Sequence, residues 1–138
     1  MVTTDGVLDW MRRFAAEMSE HRQELVALDT AIGDGDHGTN MDRGMRKAME
    51  KLGQSPPADP GATLKAVAMA LISSVGGAAG PLYGTLFLQL GVATAGRTSI
   101  GLAEWLTGLE AAVVPNGDDR CVRLQLANRN SCDGGVSR

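Results

Sequence analysis

The sequence predicts an all-α domain, and three observations support this class. Ala, Leu, Met and Val are frequent, whereas aromatic residues make up only 4% of the 138 residues, a composition that favours helix over strand. Apolar residues recur every three or four positions in six segments, which is the spacing of one helix face. The length also suffices for a single hydrophobic core. We therefore expect six helices around one core.

The first three helices are predicted over residues 4–19, 22–28 and 40–52. Apolar stripes mark the inward faces of the first and third helices. The stripe of the first helix consists of Val7, Trp10, Met11, Phe14 and Met18. The stripe of the third helix consists of Met41, Met45, Ala48, Met49 and Leu52. The second helix is short and delivers Asp29 to the segment that follows it. Packing in the core is sufficient to explain the stripes.

The next three helices are predicted from start signals as well as from spacing. Asp59 and Pro60 have the character of an N-cap followed by proline at the first helical position, and apolar residues continue this helix to Val75. Two further helices are predicted over residues 82–95 and 102–113. Thr98 or Ser99 is the expected N-cap of the last one.

The periodic pattern ends near Pro115. We therefore expect one domain over residues 1–114 and an irregular or disordered tail over residues 115–138. Cys121 and Cys132 lie in this tail. Two cysteines neither form a secreted disulfide framework nor complete a four-cysteine metal site, so both are predicted to be free thiols.

Charge and hydropathy argue against several classes of partner. The formal net charge is −3, whereas nucleic acids and anionic membranes are bound by basic patches. The first residues do not show the basic segment and apolar run of a signal peptide, and no apolar run is long enough to span a bilayer. We therefore expect a cytoplasmic protein with no nucleic-acid or membrane partner.

The densest group of functional side chains lies in residues 29–36, which we call the acidic loop. Asp29, Asp34 and Asp36 fall here among glycines, and His37 follows directly. Carboxylate oxygens are the ligands that Mg²⁺ prefers, and Mg²⁺ usually keeps water and substrate phosphate in its remaining positions. A helix that begins after the loop also presents unpaired N–H groups to an anion. The loop therefore predicts a site for Mg²⁺ and phosphate.

The acidic loop has two other interpretations. An EF-hand fails on register, because a loop starting at Asp34 puts Thr39 where glycine is required and Met45 where the closing glutamate is required. An ordinary surface turn remains open, since Asp and Gly are both common turn residues.

A second loop of small residues lies between two predicted helices. Residues 76–80, which we call the glycine corner, read GGAAG. No strand precedes them and no Gly-Lys-Ser/Thr is present, so neither a Rossmann nor a Walker motif applies. The corner either lets two helices pack closely or uses its backbone N–H groups as a second phosphate cradle.

Together the two loops resemble those of the ADP-binding L subunits of dihydroxyacetone kinases. The resemblance covers about residues 7–113 and is carried by residues 28–44, LDTAIGDGDHGTNMDRG, and by residues 73–85, SSVGGAAGPLYGT. It implies an up-and-down antiparallel barrel of about eight amphipathic helices, of which this chain carries about six. The nucleotide is then held by loops at one end.

The resemblance also implies individual roles in the site. The metal ligands for a pair of Mg²⁺ ions are Asp29, Asp34 and Asp36. The residues implied for the nucleotide, ADP or ATP, are His37, Gly38, Thr39 and Asn40 from the first loop and Gly76, Gly77, Ala78 and Ala79 from the second. No residue of this chain is assigned as catalytic. Relatives often carry Ser where this chain has Ala79, which removes one hydroxyl donor.

The function implied is that of a kinase component. It passes a phosphoryl group to dihydroxyacetone, which a separate K subunit holds covalently, and the donor is either ATP or a phosphohistidine M subunit. Two alternatives remain: a non-catalytic or regulatory Mg-nucleotide module, and a related kinase for another ketose or a fatty acid.

The resemblance ends after about residue 114, as it would in a truncated or frame-shifted version of a longer protein. An incomplete barrel exposes apolar helix faces, so self-association is expected.

Overall fold

The computed structural model describes residues 1–113, which form six α-helices. The helices are α1 (Thr4–Glu20), α2 (Arg22–Thr30), α3 (His37–Gln54), α4 (Pro60–Ser74), α5 (Ala79–Ala93) and α6 (Leu102–Val113). Two strands of two residues each, β1 (Val2–Thr3) and β2 (Ser99–Ile100), pair antiparallel. The all-α prediction is confirmed. The predictions of a tail over residues 115–138 and of free thiols lie outside the described residues.

Helix α4 lies at the centre of the core. It packs against α3 and α5 and also contacts α1, and its residues Leu64, Val67 and Leu71 are fully buried. The methionine stripe predicted for α3 is on the inside, with Met41 and Met45 fully buried. Burial of such side chains contributes roughly 1.5–3 kcal/mol each. Helices α3, α4 and α5 therefore supply most of the buried core.

The helix order places two connections at one end of the molecule. Because α3, α4 and α5 are successive packed neighbours joined by short connections, the segment that enters α3 and the segment between α4 and α5 lie on the same side of the molecule.

The longest of the described helices, α3, has 18 residues. None of the helices between Thr4 and Val113 combines the length and apolar character that a membrane crossing requires.

Two helices begin three residues before their predicted starts. Helix α3 begins at His37 and α5 at Ala79, where the spacing of apolar residues predicted 40 and 82. Helix α2 also extends to Thr30, so that Asp29 lies in its last turn. The spacing of large apolar residues does not register these first turns, because they begin with His37 and Gly38 in α3 and with Ala79 and Gly80 in α5.

The start of α4 is as predicted, but the start of α6 is not. Asp59 caps α4, since its Oδ1 accepts a hydrogen bond from the N–H of Ala62 at 2.8 Å. The N-cap predicted at Thr98 or Ser99 is wrong, because Ser99 is paired in β2. Instead, the N–H of Gly101 donates to Glu104 Oε2 at 3.1 Å.

A row of aromatic rings crosses the domain from α6 to α3. The neighbouring centroids of Trp105, Trp10, Phe87, Phe14, Tyr83 and His37 are 5.7, 5.9, 6.0, 6.3 and 6.5 Å apart in that order. The row contains every Trp, Tyr and Phe of the chain. Edge-on pairs contribute about 0.5–1.5 kcal/mol each beyond the area they bury. The aromatic row therefore links α1, α5 and α6 to the start of α3.

Candidate functional site

Asp29 organises the acidic loop through its side chain and its carbonyl. Its Oδ2 accepts hydrogen bonds from the backbone N–H groups of Asp36 at 2.9 Å and His37 at 3.2 Å. Its carbonyl oxygen accepts from the N–H of Ile32 at 3.0 Å. These bonds fold the loop back onto the end of α2. Asp29 thereby brings the later carboxylates close to itself.

The three predicted metal ligands come together. One carboxylate oxygen from each of Asp29, Asp34 and Asp36 lies within 4.8 Å of the other two. Asp29 is half-buried, and the other two are exposed. At about 4 Å, like charges repel by about 1 kcal/mol in water and by more where solvent is excluded. A divalent cation would relieve this repulsion, and the oxygen-only donor set suits Mg²⁺.

A cavity of about 440 Å³ lies between the acidic loop and the glycine corner. Its lining residues are Asp29, Gly33, Asp34, Asp36, His37, Asn40, Gly76, Gly77, Ala78 and Ala79. The structure thus places nine of the eleven sequence-predicted residues around one space. Gly38 and Thr39 are not among the lining residues, and Gly33 is a lining residue that the sequence did not suggest.

Gly38 lies against α2 instead of facing the cavity. It is buried, and a Cβ at this position would lie 2.2 Å from the carbonyl oxygen of Arg22 and 3.0 Å from the backbone nitrogen of Val26. Only glycine permits this approach of two helix backbones. Gly38 therefore seats the first turn of α3 on α2.

The glycine corner combines a turn with a close helix contact. Gly77 has a φ of 65°, a conformation that side chains other than glycine rarely adopt. A Cβ at Gly80 would lie 2.3 Å from the carbonyl oxygen of Val75. The packing interpretation is thus supported, and Gly76, Gly77 and the two alanines remain free to face the cavity.

Two helix N-termini meet at this cavity. Helix α3 follows Asp36 and α5 follows Ala78, and neither of these preceding residues makes a side-chain hydrogen bond to the helix. The first N–H groups of a helix have no acceptor within it, and the positive end of the helix dipole favours an anion. The cavity therefore offers carboxylates for a cation beside N–H donors for a phosphate.

Comparison with known protein families agrees with this geometry. The DAK2 domain family matches residues 31–118, which is more than half of the chain. The chain belongs to the DAK2 domain family. The match includes Asp34, Asp36 and the glycine corner but begins after Asp29, so the placement of Asp29 beside the other carboxylates depends on the structure alone.

Curated proteins similar to this DAK2 chain include two bacterial kinase subunits. The PEP-dependent dihydroxyacetone kinase, ADP-binding subunit DhaL, of Escherichia coli (strain K12) is 45% identical over 98 residues, covering 71% of this chain and 47% of that protein. The PTS-dependent dihydroxyacetone kinase, ADP-binding subunit DhaL, of Lactococcus lactis subsp. lactis (strain IL1403) is 46% identical over 90 residues, covering 65% and 47%. The chain spans about half the length of these relatives.

A longer human protein is also similar. The triokinase/FMN cyclase of Homo sapiens is 32% identical over 104 residues, which is 75% of this chain and 18% of that protein. Sequences similar to this chain therefore occur within proteins of different length and with different named activities.

Two residues beside the cavity, Arg43 and Tyr83, were not predicted from the sequence as site residues. Arg43 Nη2 donates a hydrogen bond to Asn40 Oδ1 at 2.6 Å, and the same guanidinium donates to the carbonyl oxygen of Ser74. The ring of Tyr83 lies 6.5 Å from that of His37. An arginine three residues after a predicted ligand lies on the same helix face, which was the available signal for Arg43.

Proposed function

We propose that this DAK2 domain binds a magnesium complex of ADP or ATP in the cavity and serves as the nucleotide-binding component of a dihydroxyacetone kinase. The observation that carries the proposal is the meeting of three carboxylates with two helix N-termini around one cavity. The two DhaL relatives support it, since both are named as ADP-binding subunits of such kinases.

In this proposal, Asp29, Asp34 and Asp36 would hold two Mg²⁺ ions. The donor set fits a cation, because three like charges converge within 4.8 Å and none of the ten described residues that line the cavity is Lys or Arg. When bound, Mg²⁺ shields phosphate charge and stabilises charge on the transferring group. Asp29 would act both as a ligand and as the acceptor that folds the loop.

The nucleotide phosphates would lie against backbone N–H groups. The glycine corner contributes the N–H groups of Gly76, Gly77, Ala78 and Ala79. His37 and Asn40 contribute side chains instead, because their N–H groups already donate to Asp29 Oδ2 and to the carbonyl oxygen of Asp36. In this proposal Gly38 and Thr39 act only through N–H groups of the first helical turn. The absence of a Cβ at Gly76 and Gly77 lets the backbone approach a phosphate closely.

The proposed chemistry is phosphoryl transfer, with the acceptor hydroxyl supplied by another protein. In the proposal, a K subunit holds dihydroxyacetone, and the phosphoryl donor is ATP or a phosphohistidine M subunit. The described chain would position the phosphates and the metal and would supply no catalytic side chain. A kinase for another ketose is the second candidate, because a D-erythrulose kinase of Mycolicibacterium smegmatis (strain ATCC 700084 / mc(2)155) is 35% identical over 79 residues.

Calorimetric titration with ADP, with and without Mg²⁺, tests the site. Asp34→Asn keeps the side-chain size, and we expect it to weaken Mg-ADP binding about 100-fold or more, because even residues behind a metal ligand contribute about 10–100-fold. The matched control is Asp9→Asn, which removes an exposed carboxylate that pairs with Arg13 on α1. Equal binding by the wild type and Asp34→Asn would rule the site out.

A coupled assay with a K subunit tests the kinase role. Phosphorylation of dihydroxyacetone that depends on this chain, on the K subunit and on one donor supports the proposal. Tight Mg-ADP binding without turnover, with either ATP or a phosphohistidine protein, would favour the non-catalytic alternative.

We extend the proposal to self-association through α6. Leu102, Leu106 and Val113 are 70%, 51% and 61% exposed, and apolar side chains grouped on one helix are a common contact surface between copies. Light scattering after gel filtration should show a mass that rises with concentration. Leu106→Lys should shift the chain to monomer, and a wild-type monomer at all concentrations would contradict this extension.

A further inference from the structure

Arg43 connects the two halves of the candidate site without lining the cavity. Its Nη2 donates to Asn40 Oδ1 at 2.6 Å, and its Nε and Nη2 donate to the carbonyl oxygen of Ser74 at 3.3 and 3.1 Å. Asn40 lies in the first turns of α3, and Ser74 is the last residue of α4. One guanidinium therefore joins segments that are 31 residues apart in the chain.

The contact with Arg43 fixes which way the Asn40 amide points. A guanidinium carries only hydrogen-bond donors, so the Asn40 atom that faces it must be the amide oxygen. The amide nitrogen then faces the opposite side. There, a Cβ built at Gly76 would lie 3.6 Å from Asn40 Nδ2, and both residues line the cavity. Asn40 thus offers a donor, and not an acceptor, beside the glycine corner.

The contact with Ser74 fixes the start of the glycine corner. The last carbonyl groups of a helix have no N–H partner within it, and the Ser74 carbonyl accepts two bonds from Arg43. The chain enters Gly76 two residues later. The guanidinium therefore holds the end of α4 at a fixed place relative to α3.

We propose that Arg43 is a positioning residue, which turns the Asn40 amide donor toward a bound phosphate and holds the glycine corner beside it. The inference rests on the proposed nucleotide function and names a residue on which that function depends. Arg43 is exposed, and the packing of α3 at this point is made by Gly44, which lies against Leu71 and Val75. Its loss should therefore weaken binding more than folding.

The test compares Mg-ADP binding to Arg43→Met and to the wild type by calorimetry, with the melting temperature measured in parallel. We expect Arg43→Met to bind about tenfold more weakly, because the Asn40 amide and the end of α4 lose the charged donor that orients them; tenfold corresponds to about 1.4 kcal/mol. Arg43→Lys should recover part of the loss, because an ammonium group can still donate to Asn40 or Ser74. The melting temperature should change little.

Arg46→Met is the matched control. It removes the same charge one turn further along α3, where Arg46 pairs with Asp42. Binding by this variant should equal that of the wild type. An equal loss in Arg46→Met would show a general effect of charge and overturn the inference.

A double-mutant cycle separates a positioning role from a merely structural one. If Arg43 acts in part through Asn40, the loss of affinity in the double variant Arg43→Met/Asn40→Ala should be clearly smaller than the sum of the two single losses. Fully additive losses would overturn the inference. Wild-type affinity in Arg43→Met would also overturn it. Either result would leave the proposed nucleotide function in place. Failure of the wild type to bind Mg-ADP would overturn the proposed function and this inference together.

Discussion

The acidic loop and the glycine corner bring helix N-termini to the same cavity, but they are built in different ways. The acidic loop is folded by a side chain, since Asp29 accepts hydrogen bonds from two backbone N–H groups. The glycine corner is folded by the absence of side chains at Gly77 and Gly80. The first region should therefore be sensitive to the chemistry of a substitution, and the second to its size.

The largest effect is expected from Asp29→Ala. This change removes a carboxylate from the triad and also the acceptor that orders the loop, so Mg-ADP affinity should fall about 100-fold or more. Asp34→Asn should lose comparable affinity with no fall in melting temperature, because it also relieves repulsion among the carboxylates, whereas Asp29→Ala should unfold at a lower temperature. Calorimetry and thermal unfolding of both variants measure the contrast. Identical melting temperatures would show that Asp29 does not fold the loop.

Gly38→Ala should show that size also matters beside the acidic loop. A methyl group at this position would lie 2.2 Å from the carbonyl oxygen of Arg22, and overpacking of this kind costs typically about 1–3 kcal/mol of stability. Urea unfolding gives the change in the free energy of unfolding. Gly53→Ala is the control, since no atom lies within 4 Å of its Cβ. Equal stability of the two variants would contradict the close helix contact.

Ala79→Ser should sharpen the contrast at the glycine corner. The added hydroxyl restores a donor at the first residue of α5, where the cavity begins. A net hydrogen bond contributes about 0.5–1.5 kcal/mol, so Mg-ADP should bind about twofold to tenfold more tightly. Ala79→Val adds bulk without a donor and should bind more weakly than the wild type. If both substitutions weaken binding, space rather than hydrogen bonding limits this position.

The smallest effect concerns His21, at the junction that leads into α2. Its hydrogen bond with Glu24, together with the nearby Glu17 and Glu20, raises the pKa of His21 above its ordinary value. The folded state therefore binds the proton more tightly than the unfolded state, and the stability gained is present below about pH 6.5 and lost as pH rises through the folded pKa.

His21→Gln should remove that dependence. The difference in urea midpoint between wild type and variant should shrink from pH 5.5 to pH 8, and it should remain small because the group is fully exposed. Mg-ADP affinity at pH 8 should be the same in both proteins. A difference that grows with pH would contradict the raised pKa of His21.

Features with a local cause could be predicted from the sequence. The six helices follow from apolar spacing. The start of α4 follows from Asp59, a residue type that favours the N-cap position, and from the proline after it. The metal-ligand set Asp29, Asp34 and Asp36 was predicted from the density of carboxylates in one loop and from the family resemblance, and the structure brings the three together.

Features with a distant cause could not be predicted. β1 and β2 pair residues almost 100 positions apart and are two residues long, which is too short for a periodic pattern. The acceptor of Arg43 on α4 lies 31 residues away. The packing role of Gly38 depends on the path of α2, so a glycine beside the acidic loop was expected to face the nucleotide.

The aromatic row also gives the domain an internal optical probe. Both tryptophans and the single tyrosine of the chain pack edge-on or tilted in this row, so their near-ultraviolet circular dichroism arises from one array of neighbouring rings. The array ends at His37, which lines the cavity. Ligand arrival at one end and loosening of α6 at the other should therefore change different parts of one spectrum, and no extrinsic dye is needed to record either event.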